Sequence, residues 1–197
     1  MNRPVRYFAL AAAVLFMPLA LTACAGDDFA QNYAAGSDQG YVAGDGSMQV
    51  FAKDQRGERV EFSGITDAGD QLHSADFGNE VVVVNFWYAS CPPCRAEARD
   101  LQELNEEYSA KGVNFVGVNV YDQAATARSF AEEFGVTYPS ILDVEDASVR
   151  LAFSDNVPPQ AIPSTLVLDR EGRVAALIRG VADRSVLSTM IDDVLAE

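Results

Sequence analysis

Seven consecutive residues, Val81-Val82-Val83-Val84-Asn85-Phe86-Trp87, are apolar on both of the faces a strand would present. Side chains alternate across a strand, so such a run has to be covered on both sides. That excludes an edge strand with one wet face and predicts a central strand between layers of helix. The residues beyond it supply the first such layer. Ala98, Leu101, Leu104 and Tyr108 repeat at three- and four-residue intervals, which predicts an amphipathic helix. Glu97, Arg99, Asp100, Glu103, Glu106 and Glu107 form its solvent side, and Gly112 stops it.

The same reading extends along the chain. Val113–Asn119 is a second strand, followed by a helix over Ala124–Phe134 with Asp122 near its start and Gly135 just past its end. A short strand at Ser140–Leu142, a helical turn near Ala147–Ala152 and a proline-bearing loop then lead to Thr165–Leu168. Asp169-Arg170-Glu171-Gly172 turns that strand into Arg173–Ile178 as an antiparallel pair. Asp183 caps a terminal helix whose stripe is Val186, Leu187, Met190, Ile191, Val194 and Leu195. Before the central strand, Met48–Ser63 predicts an edge hairpin turning at Asp54–Gly57, and Gly64–Asn79 reads as mostly loop. The order implies an α/β domain with a mixed sheet, helices on both faces and an N-terminal hairpin extension.

With 197 residues in all, this domain, residues 48–197, leaves two amino-terminal segments. Residues 1–23 carry Arg3 and Arg6, an apolar run from Tyr7 to Leu21 and then small residues, the pattern of an export signal. Leu21-Thr22-Ala23-Cys24 resembles the lipobox of bacterial lipoproteins, which implies cleavage before Cys24 and attachment of acyl chains such as palmitate there. An ordinary signal peptide or a retained membrane anchor is the plainer alternative. Residues 24–47 are rich in Gly, Ala, Asp, Ser and Gln and read as a flexible acidic tether. Cleavage removes two arginines and no acids, taking 14 basic residues to 12 against 29 acidic ones, a formal charge of −17. That balance argues against a nucleic-acid binder and against adsorption to anionic lipid. The expected location is the extracytoplasmic face of a bacterial cell membrane, lipid-anchored.

With Cys24 given to lipid, Cys91-Pro92-Pro93-Cys94 remains, between the central strand and its helix. Unpaired N–H groups and the dipole at a helix start favour a thiolate, and a two-residue spacer lets Cys94 close onto Cys91. Pro92 and Pro93 suit a first turn, where their missing N–H groups cost no helical bond. Two other uses compete with redox cycling. A structural brace across four residues closes too small a loop to restrict the unfolded chain much. A zinc half-site needs further ligands, and the single histidine, His73, is isolated in a loop; no metal is expected.

Phe86-Trp87-Tyr88-Ala89-Ser90-Cys91-Pro92-Pro93-Cys94 resembles the Phe-Trp-x-x-x-Cys-x-Pro-Cys signature of thioredoxin-fold disulfide oxidoreductases, specifically the exported, membrane-tethered TlpA/ResA-like group with its redoxin-type domain. Ile162-Pro163-Ser164-Thr165 resembles that group's second landmark, in which the proline bond is cis. The resemblance spans about 140 residues. It implies that Cys91 is the more exposed cysteine and attacks the client, that Cys94 resolves the mixed disulfide, and that Pro163 faces the pair. The backbone at Ile162 would hold the client extended, and Trp87 and Tyr88 would wall the groove. An acidic residue at the place of Glu97 influences cysteine protonation in the ResA type, although a carboxylate at a helix start is also an ordinary dipole partner. Two departures stand out. Asn85 replaces the buried aspartate of thioredoxin and cannot titrate, and Ser90 stands where many relatives carry an aromatic residue.

The function implied is a protein-disulfide reductase without bound cofactor, acting as a monomer on exported proteins and fed by a membrane thiol-disulfide carrier, with cytochrome c maturation as a setting. The rivals are a dithiol oxidase, a peroxiredoxin-like peroxidase and a redox-inert binding lipoprotein. Tyr88 stands where such a peroxidase has threonine, three residues before its cysteine, which disfavours the second rival.

Overall fold

The computed structural model describes residues 41–158 and 161–197. Cys24, the signal segment and residues 24–40 of the tether lie outside them. Among the described residues, seven strands form one sheet in the order β1-β2-β9-β8-β5-β6-β7. These are β1 Tyr41–Val42, β2 Met48–Val50, β5 Val81–Trp87, β6 Val113–Asn119, β7 Ser140–Leu142, β8 Ser164–Leu168 and β9 Val174–Arg179, while β3 Ser63–Ile65 and β4 Gln71–His73 make a separate hairpin. The helices are α1 Pro92–Tyr108, α2 Ala124–Phe134, α3 Ser148–Ala152 and α4 Arg184–Leu195. β5 pairs in parallel with β6 and antiparallel with β8, so the apolar run is an interior strand and all seven of its residues are buried.

Alternation along β5 divides the core. Val81 and Val83 pack with Leu101, Leu104 and Tyr108 of α1 and Leu187, Met190 and Ile191 of α4. Val82, Val84 and Phe86 face the other side, against Val149 beside Phe153, and against Phe62 at the base of the hairpin. Each leucine so buried is worth ~2 kcal/mol relative to exposure. α2 lies alongside α1, placing Ala127 and Phe130 against Trp87 and Ala98. This is the thioredoxin-like α/β arrangement that the resemblance implies, a mixed sheet flanked by helices.

The amino-terminal portion differs in detail from expectation. No hairpin turns at Asp54–Gly57. β2 instead pairs with β9 on one side and β1 on the other, so strand pairing includes Tyr41 and Val42, inside the stretch read as tether. The segment read as mostly loop contains β4 and a 3-10 turn at Ser74–Phe77. The reason is tertiary: Leu72 and Phe77 have apolar partners around Phe62 on the sheet's second face, which local composition does not reveal. Gly64 lets the hairpin close over β7, since a Cβ there would stand 2.4 Å from Ile141 Cγ2.

Candidate active site

β5 ends at Trp87 and α1 begins at Pro92, so the intervening turn carries Cys91 to a helix start, as expected. Cys91 is the N-cap residue, and its Sγ accepts the backbone N–H of Cys94 at 3.2 Å. Pro92 and Pro93 fill the first turn, and Cys91 and Cys94 form a disulfide with their Cα atoms 5.3 Å apart. The turn is gripped from both sides. Ala89 donates its N–H to Asp122 Oδ2 at 2.6 Å, and its carbonyl accepts from Arg95 at 3.4 Å. Asp122 also accepts from Asn119 Nδ2 at 2.9 Å. It therefore makes no cap bond to α2, whose N-cap is Gln123.

Cys91 is not the more exposed cysteine. Its accessibility is 1% and that of Cys94 is 2%, because Tyr88, Ala89 and Ile162 pack around the pair. Ile162-Pro163 is cis, and Pro163 is buried. The Pro163 carbonyl accepts the Gly180 N–H at 2.9 Å, which ties the proline loop to the junction between β9 and α4. Trp87 is buried, stacked 4.3 Å from Phe130 between ring centroids, with Nε1 donating to Ser140 Oγ at 3.3 Å. Gly117 makes this placement possible, since a Cβ there would lie 2.7 Å from Trp87 Nε1. Tyr88 is half-buried and meets Tyr121 edge to face at 5.1 Å.

Glu97 is the largest departure from the expected pattern. It does not lie on the solvent side of α1; it is 1% exposed. Oε1 accepts from Asn85 Nδ2 at 2.8 Å and Oε2 from the Ala182 N–H at 2.7 Å. Burial pushes its carboxyl from the ordinary 4.5 up to about 7, against the pull of the Ala182 N–H and the Asn85 amide. Asn85 is the hydrogen-bonded buried amide expected, and it also donates to Thr165 Oγ1 at 3.0 Å. Glu97 thus meets the face of β5 that carries Asn85, behind the helix turn holding Cys94. The signal for its burial was present in the spacing. Glu97 stands four residues before Leu101 and seven before Leu104, on their stripe, but its polarity assigned it to water.

Sequence reasoning also missed Asp122 as a holder of the cysteine turn, the Ala182 N–H, Thr165 and Tyr121. Asn119 and Asp122, three apart at a strand end, were the only local sign of that turn: Asn119 Oδ1 accepts the Tyr121 and Asp122 N–H groups at 3.2 and 2.7 Å. A concavity of about 570 Å³ between Arg59, Glu61, Phe62, His73 and Ser148 contains neither cysteine. Cys94 lines a cavity of only about 10 Å³, shared with Asn85, Trp87, Ala98 and Phe130, too small to hold a ligand.

A family model described as Redoxin matches residues 47–194. The chain is 29% identical over 126 residues to the thiol-disulfide oxidoreductase ResA of Geobacillus kaustophilus, covering 64% of this chain and 70% of that one. Against ResA of Bacillus subtilis it is 27% identical over 144 residues, covering 73% and 71%. A secreted thiol-disulfide isomerase from Corynebacterium glutamicum is similar with a TM-score of 0.68 at 33% identity, over 80% of this chain and 97% of that one. A DsbF homologue from Corynebacterium diphtheriae gives 0.67 at 31% identity, over 77% and 96%. A disulfide-forming cysteine pair in this fold supports thiol-disulfide oxidoreductase chemistry in general. By the match over residues 47–194, and by the fold and cysteine pair those residues build, the chain belongs to the Redoxin family, among its thioredoxin-fold, ResA-like thiol-disulfide oxidoreductases.

Proposed function

We propose that this protein is a lipid-anchored, extracytoplasmic protein-disulfide reductase whose clients are exported proteins, among them apocytochromes c with oxidised haem-site cysteines. The observation that carries the reading is the Cys91–Cys94 disulfide at the first turn of α1, backed by a buried carboxyl whose pKa is raised to about 7. In the working direction the dithiol form meets a client disulfide. Cys91 thiolate attacks one client sulfur, the client S–S bond breaks, and a mixed disulfide forms while the other client sulfur leaves as thiolate and takes a proton. Cys94 thiolate then attacks Cys91 Sγ, closing the intramolecular disulfide and releasing the second client thiol. The client gains two electrons and two protons, and the cysteine pair loses both.

Glu97 is suited to carry a proton between these steps, because a carboxyl near pKa 7 gives and takes one at neutral pH with little penalty. Its charged form would disfavour a second negative charge at the cysteines, so proton and electron movements would be coupled. A membrane thiol-disulfide carrier returns the electrons. Anchoring through Cys24 rests on the lipobox-like sequence, which lies outside the described residues; among the described residues no helix is long and apolar enough to cross a membrane.

The test is to trap clients in cells with Cys94→Ala, which leaves Cys91 unable to release a mixed disulfide. Exported proteins disulfide-linked to Cys91, and a reduction potential low enough to reduce them, are the expected outcome. An accessible Cys91 thiol with no client attached would remove the exchange mechanism, and a strongly oxidising pair would reverse its direction.

A further inference from the structure

Among the described residues, none between α3 and β8 belongs to a strand or helix, so the approach to the cis proline is placed by the bonds made to it. Within this stretch the Ala161 N–H donates to the Pro158 carbonyl at 2.9 Å, and Ser164 Oγ donates to the Ala161 carbonyl at 2.6 Å. From outside, the Gly180 N–H holds the Pro163 carbonyl, and the residue before it, Arg179, holds the other end: its Nη2 donates to the Asn156 carbonyl at 3.0 Å. Nη1 of the same guanidinium donates at 2.7 Å to the carbonyl of Gly46, in the turn between β1 and β2. Arg179 ends β9, where it pairs with Ser164, and its own N–H donates to the Ser47 carbonyl at 2.7 Å. Alternation along β9 puts it on the face of Leu177, in whose apolar cluster Phe153 and Val157 are buried and against which Ile162 packs.

Arg179 Nε is buried with no hydrogen-bond partner among the described residues, which costs stability. The planar fork leaves that donor unpaired while its two ends reach carbonyls from opposite parts of the chain. We propose that Arg179 is a positioning residue for client binding: by joining the Gly46 and Asn156 carbonyls it fixes the approach to the cis proline against the amino-terminal hairpin, so that the Ile162 backbone meets an extended client chain in one register. The inference rests on the exchange reading above and changes nothing at the sulfurs. It makes the β1–β2 turn a support of the client site without any contact to the client.

Arg179→Met keeps the apolar stem and removes every donor. The full chain is assayed with a labelled peptide disulfide under a recycling dithiol, and separately with dithiothreitol, which meets the sulfurs without an extended chain. KM for the peptide should rise about tenfold with kcat nearly unchanged, the scale of one hydrogen bond to a charged group. The dithiothreitol rate and the reduction potential should stay at wild-type values. Backbone hydrogen exchange should speed up at Ala161 and Gly180 and not along β5. Arg179→Lys keeps the charge but offers one donor head in place of a fork, and should recover only part of the loss. Asp45→Ala acts from the other end: Asp45 Oδ1 accepts the Ser47 N–H at 2.9 Å and Oγ at 2.7 Å, so its loss loosens the turn and should also raise KM. If Arg179→Met does not fold, the same readings on Asp45→Ala, in an exposed turn, decide. Arg170→Met is the control, since Arg170 likewise donates to two carbonyls, those of Val194 and Leu195, and its loss should lower stability while leaving KM alone. A wild-type KM in Arg179→Met or in Asp45→Ala overturns the proposal, as does full recovery by lysine. A dithiothreitol rate that falls in step with the peptide rate also overturns it, by placing the effect at the sulfurs. A wild type whose disulfide exchanges with neither peptide nor dithiothreitol removes the exchange reading and this proposal with it.

Discussion

At the scale of single residues, a carboxyl group that keeps 1% of its surface must find donors or give up its charge, and Glu97 does part of each. The consequence is a stability that depends on pH in the disulfide form, where the cysteines have no proton to exchange. Between the ordinary 4.5 and about 7 the folded chain holds a proton at Glu97 that the unfolded chain has lost. Stability from this group is therefore full below 4.5 and declines as pH rises through about 7, by at most about 3 kcal/mol. Glu97→Gln should flatten that slope. An amide there keeps its partners if Asn85 flips, accepting from the new side chain and from Thr165 Oγ1 where it previously donated to both. Urea midpoints at about pH 5 and about pH 8 check this: the variant should gain on the wild type as pH rises, and a parallel pair of curves would count against a titrating Glu97. Asn85 was readable from the sequence as a buried amide, because its neighbours on both sides are apolar. Its partner was not, because Glu97 is twelve residues away on another element and polar enough to be assigned to water.

At the scale of elements, β6 shows how a strand's small residues set the wall of the site. Gly117 pairs with Asn85 on one side and Ser140 on the other, and a Cβ at this position would stand 2.2 Å from Ser140 Oγ and 2.7 Å from Trp87 Nε1. Gly117→Ala should cost about 1–3 kcal/mol by overpacking and force the Trp87 ring away from Phe130. Trp87 is the single tryptophan, so the displacement should appear directly as a shift in intrinsic emission, and adding Ser140→Gly should recover part of both effects. An unchanged spectrum with full stability would mean that the strand has room that the geometry denies. The long elements were legible in the sequence: β5, α1, β6, α2, β8, β9 and α4 all stand where periodicity put them, and Asp183 caps α4 by accepting from Ser185 and Val186 N–H. The hairpin of β3 and β4 was not, since each strand has three residues and too few repeats to show a period.

Across the whole molecule, one ion cluster joins the first and last parts of the domain. Arg56, with its side chain 3% exposed, donates to the Phe51 carbonyl at 3.2 Å, to Asp169 at 2.9 Å after β8, and to the Glu197 carboxylate beyond α4. Burial pushes the Asp169 carboxyl up, but the Arg173 N–H and the Arg56 and Arg173 side chains outweigh it and hold it below the ordinary 3.8. Arg56→Leu should destabilise by about 2–3 kcal/mol at neutral pH, less than for a lone buried pair because Arg173 still reaches Asp169 at 2.9 Å. A group whose folded pKa is depressed stabilises above its unfolded value and loses that contribution as pH falls through the folded one. The gap between variant and wild type in denaturation free energy should therefore narrow below 3.8, and a gap independent of pH would assign the loss to packing alone. The sequence by itself determined the central strand, the helices, the cysteine turn and the acidic balance, because period, cap and spacing are relations between near neighbours on the chain. Tertiary structure alone decided that Glu97 is buried against a backbone N–H 85 residues away, that Asp122 holds the cysteine turn from 33 residues away, and that Arg56 reaches Glu197. Whether a polar side chain meets water or a partner depends on which distant segment folds over it, and a local spacing such as that of Glu97 to Leu101 and Leu104 names no such partner.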